Sequence, residues 1–124
     1  MDFEKYTERV RGFIQSAHSL ALREGHPQFT PDHLLKVLLD DPEGLCAGLI
    51  DRSGGNAKQA LKDVEAALKK LPKVSGGGAT QPQMAPGLAR IFHQAEKIAQ
   101  KAGDSYVTVE RLLLVDRLRH DRDQ

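Results

Sequence analysis

At 124 residues, with 40% hydrophobic and 28% charged side chains, the chain has the composition of one globular domain, large enough to bury a core without disulfides or metal. A net charge of +1 is not that of a surface built to neutralise phosphates, which argues against nucleic acid as a partner. The lone Cys46 cannot close an internal disulfide, the N-terminus is acidic rather than signal-like, and no apolar run nears a membrane span, so a cytoplasmic protein away from the membrane is expected.

Over residues 3–23 the apolar side chains Phe3, Tyr6, Val10, Phe13, Ile14, Ala17, Leu20 and Ala21 recur at three- and four-residue spacing, which predicts a first helix with one buried stripe. Gly25 closes it, and Thr30-Pro31-Asp32 opens a second helix through Leu34, Leu35, Val37 and Leu38, with Thr30 as N-cap, Pro31 at the first helical position and Asp32 at the positive end of the dipole. Asp40-Asp41-Pro42 stops that helix. A short helix over residues 43–51 ends at Ser53-Gly54-Gly55, and Asn56 caps a fourth with the stripe Ala57, Ala60, Leu61, Val64, Ala67, Leu68 and Leu71. Residues 74–83, with Gly76-Gly77-Gly78 and Pro82, read as a flexible link. A fifth helix begins near Pro86 and carries Leu88, Ile91, Phe92, Ala95, Ile98 and Ala99 on one face.

The chain then repeats itself. Gly25, Thr30, Leu34 and Leu35 return as Gly103, Thr108, Leu112 and Leu113, at a constant offset of 78 residues. Each copy of this cassette spells a helix end, a short extended link and a capped helix. Beyond Val115 the aliphatic pattern gives way to charge, and Leu118 is the one aliphatic residue in 116–124. The second unit is therefore expected to hold only two of the four helices of the first, leaving apolar faces of its helices uncovered and prone to weak dimerisation.

Several chemistries are absent from the sequence. There is no Gly-x-x-x-x-Gly-Lys-Ser/Thr phosphate loop, no Gly-x-Ser-x-Gly elbow and no His-Glu-x-x-His. The histidines His18, His26, His33, His93 and His120 have no ligand spacing and read mainly as surface residues, so no metal or other cofactor is expected. Cys46 sits in a helical apolar stripe, where it packs as a small hydrophobe. Lysines and arginines are interspersed with acids, as on a solvated helical surface.

The stretches Ala17-His18-Ser19-Leu20-Ala21-Leu22, Phe29-Thr30-Pro31-Asp32-His33-Leu34-Leu35, Leu71-Pro72-Lys73-Val74-Ser75-Gly76 and Gly103-Asp104-Ser105-Tyr106-Val107-Thr108-Val109-Glu110 together resemble the N-terminal domain of the ClpB-type chaperones of the Clp/Hsp100 AAA+ family. The resemblance implies an all-α fold of two pseudo-symmetric repeats, here about residues 3–72 and 85–115 joined by 73–84 and followed by a divergent charged tail over 116–124. It implies a non-enzymatic module that engages unfolded or aggregated polypeptide for an ATPase ring, a homohexamer in the full-length protein, with docking of a folded adaptor as the alternative. The family's client-contact residues match Thr7, Asp104 and Glu110, and an apolar groove beside them would draw on Leu88 and Phe92.

Overall fold

The structure, a computed structural model, describes residues 3–74 and 81–122, with side chains through Val115. A 3-10 turn at Phe3–Lys5 leads into α1 (Glu8–Arg23), β1 (Gln28–Phe29), α2 (Pro31–Leu39), α3 (Leu45–Arg52) and α4 (Ala57–Lys69), followed by β2 (Gln83–Met84), α5 (Pro86–Lys101) and α6 (Val109–Arg122). The predicted helices are all present, and the extended links between them add one small element. Gln28 and Phe29 pair in parallel with Gln83 and Met84, and Tyr6 bridges Val107 in the same sense.

These two pairings are one contact made twice. Moving 78 residues forward from Phe29 gives Val107, and 78 back from Met84 gives Tyr6, so exchanging the halves of the chain converts one pairing into the other. The hydrogen bonds agree, since Ala85 N–H donates to Phe29 O at 2.9 Å and Thr7 N–H donates to Val107 O at 3.2 Å. The repeat in the sequence is thus a local two-fold in space, and each half supplies the strand that the other half needs.

This exchange explains where the first helix begins. The apolar spacing extends back to Phe3, but Tyr6 is held extended against Val107 and Thr7 takes φ −64°, ψ 158°, so α1 starts at Glu8 and Phe3 is left 45% exposed. Part of the expected link is likewise structured. Val74 N–H donates to Gly25 O at 2.8 Å and Gln83 belongs to β2, whereas the glycine-rich residues 75–80 lie outside the described residues. At the other end α6 runs on to Arg122 through most of the charged stretch, while its counterpart α2 stops at Leu39 ahead of Pro42.

A single core joins both halves. Helix α2 packs against α1, α3, α4, α5 and α6, and its Leu34 and Leu38 are fully buried beside Val10, Leu88, Ile91 and Leu112. Each such side chain contributes roughly 1.5–3 kcal/mol on burial. The expectation of uncovered faces on α5 and α6 is corrected here. Leu88, Ile91, Phe92, Ala95 and Ala99 of α5 and Val109, Leu112, Leu113 and Val115 of α6 are buried, α5 and α6 packing on each other and on α2, with α6 also on α3, because a shared core takes the stripe that a repeat count assigns to further helices. Leu114 alone of residues 109–115 stands out among these apolar positions, at 49% exposure.

Candidate functional site

Each cassette begins with the same helix stop. After α1, Gly25 N–H donates to Leu22 O at 3.1 Å and His26 N–H to Ala21 O at 3.0 Å; after α5, Gly103 N–H donates to Gln100 O at 3.1 Å and Asp104 N–H to Ala99 O at 2.8 Å. This paired closure needs a left-handed residue, and Gly25 and Gly103 have φ of 69° and 77°. The chain then runs extended to the next cap, where Arg111 N–H donates to Thr108 Oγ1 at 3.4 Å. At Thr30 the cap is closed from the other direction, its backbone N–H donating to His33 Nδ1 at 3.0 Å.

The second cassette carries the candidate surface. Thr7, half-buried, caps α1 by accepting the Val10 N–H on its Oγ1 at 3.2 Å, and its own N–H is held by Val107. Asp104 lies in the link before Val107 and forms an ion pair with Arg111 Nε at 3.2 Å. Glu110 is exposed in the first turn of α6, three residues after Val107. All three lie within three residues of the Tyr6–Val107 pairing along the chain. Leu88 and Phe92 are placed differently: at 0% and 2% exposure they lie beneath the surface, with Phe92 edge-on to Tyr6 at 6.0 Å between ring centroids.

Asp104 also lines an open cleft of about 530 Å³ between α5 and the link, together with Lys5, Glu96, Lys97 and Tyr106. Tyr106 is 54% exposed and had no part in the sequence-based site. Its signal was available, because in the extended run Ser105-Tyr106-Val107 a buried Val107 sends its neighbour to the opposite side. Glu96 is fixed by the Tyr6 hydroxyl, which donates to its Oε2 at 2.6 Å. Thr7 and Glu110 do not line this cleft. On α3, burial pushes the Cys46 thiol up to about 11, with Asp41 and Glu110 adding and Arg9 opposing. Such a thiol is not a nucleophile at neutral pH.

Two of the histidines depart from their surface reading, while His93 is exposed and His18 half-buried. His26 and His33 are 4% and 0% exposed and lie in contact, Nδ1 of the first 2.8 Å from Nε2 of the second. Seven residues apart, on either side of β1, they follow no ligand spacing that the sequence would reveal. Among the described residues no group of three or more His, Cys, Asp or Glu side chains is placed to hold a metal ion, and no helix is long and apolar enough to cross a membrane.

Comparison with known proteins places this geometry. Residues 5–116 match the family model of the Clp repeat (R) N-terminal domain. The chain is 67% identical over 123 residues to the chaperone protein ClpB of Rhodopseudomonas palustris, covering 99% of this chain and 14% of that protein. Among solved structures, the Hsp104 N-terminal domain from Candida albicans superposes with a TM-score of 0.79 at 23% identity, covering 90% of this chain and 73% of that one. The complex of a ClpV N-domain with VipB peptide superposes with a TM-score of 0.75 at 21% identity, covering 97% and 72%. The chain spans about a seventh of the length of the ClpB relative, and that seventh corresponds to the repeat domain alone. With the family model matched over residues 5–116 and a relative 67% identical over nearly the whole chain, the chain belongs to the Clp repeat N-terminal domain family.

Proposed function

We propose that this chain is the client-engaging module of a ClpB-like ATP-driven disaggregase, binding exposed segments of unfolded or aggregated polypeptide in the cytoplasm and presenting them to an ATPase ring. The observation that supports the reading is the second-cassette surface, where the exposed Tyr106 shares a cleft with Asp104, and Thr7 and Glu110 flank the Tyr6–Val107 pairing along the chain. An aromatic face bordered by fixed polar groups suits irregular peptide, since Tyr offers a large contact area at low entropic cost. Phe92 acts from beneath, edge-on to Tyr6, as the floor that keeps Tyr6 and hence Val107 in place, with Leu88 buried one turn away on the same helix. The peptide complex of the similarly folded ClpV N-domain supports peptide binding by this architecture. ATP turnover, and the hexamer that performs it, would lie with the remainder of a ClpB-length protein.

The test is a titration of the chain with a permanently unfolded model protein, reduced and carboxymethylated, followed by amide chemical shifts. The expected result is a set of shifts confined to Thr7, Asp104, Tyr106 and Glu110 and their neighbours. No shift at saturating client sinks the proposal, and binding only to one folded protein favours adaptor docking.

A further inference from the structure

The contact between His26 and His33 has a determined direction. Thr30 N–H donates to His33 Nδ1 at 3.0 Å, with Thr30 Oγ1 also 3.0 Å from that nitrogen. A backbone N–H cannot reverse its role, so the His33 proton resides on Nε2 and is donated to His26 Nδ1 at 2.8 Å. His26 then carries its own proton on Nε2, an atom with no hydrogen-bond partner among the described residues. A neutral imidazole offers one in-plane lone pair. Both lone pairs of the pair are already occupied by donors, so an added proton must break either the Thr30–His33 cap or the His33–His26 link.

We propose that the first cassette is an acid-labile latch: protonation of the buried His26–His33 pair releases the N-terminus of α2 and the β1–β2 pairing, loosening one of the two seams between the halves of the domain. The pair encloses β1, and Gln83 N–H donates to Pro27 O at 3.1 Å and Ala85 N–H to Phe29 O at 2.9 Å, so the latch reaches directly to the start of α5. The charged neighbours offer little compensation. Glu24 at the end of α1 attracts a proton but is tied to Lys73 at 3.4 Å, Lys36 on α2 pairs with Asp40 and Glu65, Asp32 on α2 is itself engaged, and His18 of α1 is separated from His33 by the Phe29 ring. Burial lowers both imidazoles, His33 to about 4 with the neighbouring His26 adding and Glu24 only partly opposing.

The two-fold mate supplies the contrast. The positions equivalent to His26 and His33 in the second cassette are Asp104 and Arg111, which close the same joint as an exposed ion pair at 3.2 Å. The second joint holds no imidazole, so one seam responds to mild acid and the other does not.

The experiment is amide exchange on this chain between pH 7 and pH 5, read as protection factors after correction for intrinsic rates, with the two imidazoles followed by long-range nitrogen–proton correlation. The expected result is two Nε2–H tautomers at pH 7 and a loss of protection of about thirtyfold at Thr30, Gln83 and Ala85 by pH 5, the factor by which an imidazole of ordinary pKa gains protons once released. Thr7 and Val107, at the other seam, should change by less than about threefold. Protection that stays flat at Thr30 and Ala85, equal loss at both seams, or imidazoles that titrate near their ordinary value overturns the proposal.

Discussion

The hydroxyl of Tyr6 donates to Glu96 Oε2 at 2.6 Å across 90 residues of chain. Tyr6 is 1% exposed, its ring meets Phe92 edge-on, and its backbone bridges Val107, so one residue ties the start of the chain to α5 and to the second cassette. Tyr6→Phe keeps the ring and removes the bond. A hydrogen bond to a charged acceptor contributes about 1.5–3 kcal/mol, and half-buried Glu96 recovers part of that from water, so a loss of about 1–2 kcal/mol is expected in urea unfolding. A variant as stable as the parent would show that the hydroxyl is not part of the seam.

Thr7 has a structural role that must be separated from any role in client contact. Its Oγ1 accepts the Val10 N–H at the first turn of α1. Thr7→Ala should lower stability by about 1 kcal/mol, the usual cost of an N-cap, whereas Thr7→Ser retains the oxygen and should stay within about 0.3 kcal/mol of the parent. The serine variant is therefore the one in which to measure client binding. Weaker binding there, at unchanged stability, assigns Thr7 to the contact surface; a serine variant as unstable as the alanine one would contradict the capping role.

The two cassette glycines share a conformation and differ in surroundings. A side chain in the left-handed region costs roughly 1–2 kcal/mol. At Gly103, with φ 77° and open space around the position of an added Cβ, Gly103→Ala should cost only that. At Gly25 an added Cβ would stand 3.3 Å from Val74 O, the carbonyl of the residue whose N–H bonds to Gly25 O. Gly25→Ala should therefore be the more damaging, by about 1 kcal/mol beyond the shared cost. Thermal or urea unfolding of the two variants side by side checks the ranking, and equal losses would mean that the 72–74 segment moves aside freely.

The cassettes were legible because their signals are local. Gly, Thr, Pro and Asp act on hydrogen bonds within a few residues, and the helix stops and caps fall where those residues predict. The start of α1 was not legible, since the pairing that pulls Tyr6 out of helix comes from Val107, a hundred residues away, and helical spacing cannot register it. The core was misjudged for a related reason. Counting helices per repeat assigns each half its own partners, but α2 takes the faces of α5 and α6 into the first half's core. Of the candidate site, Asp104, Glu110 and Thr7 could be placed by resemblance, while Tyr106 required knowing which side of the extended link is buried. The histidine pair left no trace in spacing because an extended link, β1, followed by the first turn of α2 brings its members together, and neither helical nor strand periodicity registers that path.

The final prediction concerns pH. His33 is held at about 4 in the folded chain against an ordinary 6.5, chiefly by burial, with His26 adding. Below pH 6.5 the unfolded chain therefore binds a proton that the folded chain refuses, so this contribution to stability is complete above 6.5 and is lost as pH falls toward 4. Each pH unit in that window removes about 1.4 kcal/mol per such group, so His33 alone should lower the unfolding free energy by about 2 kcal/mol between pH 7 and pH 5. His26 is lowered as well and acts in the same direction. Ordinary carboxylates titrate mainly below this interval, near 4, so the slope reports the imidazoles. Urea unfolding at pH 7, 6 and 5 measures it, and a free energy that varies by less than about 0.5 kcal/mol across the series would mean that the buried pair accepts a proton without disturbing the fold.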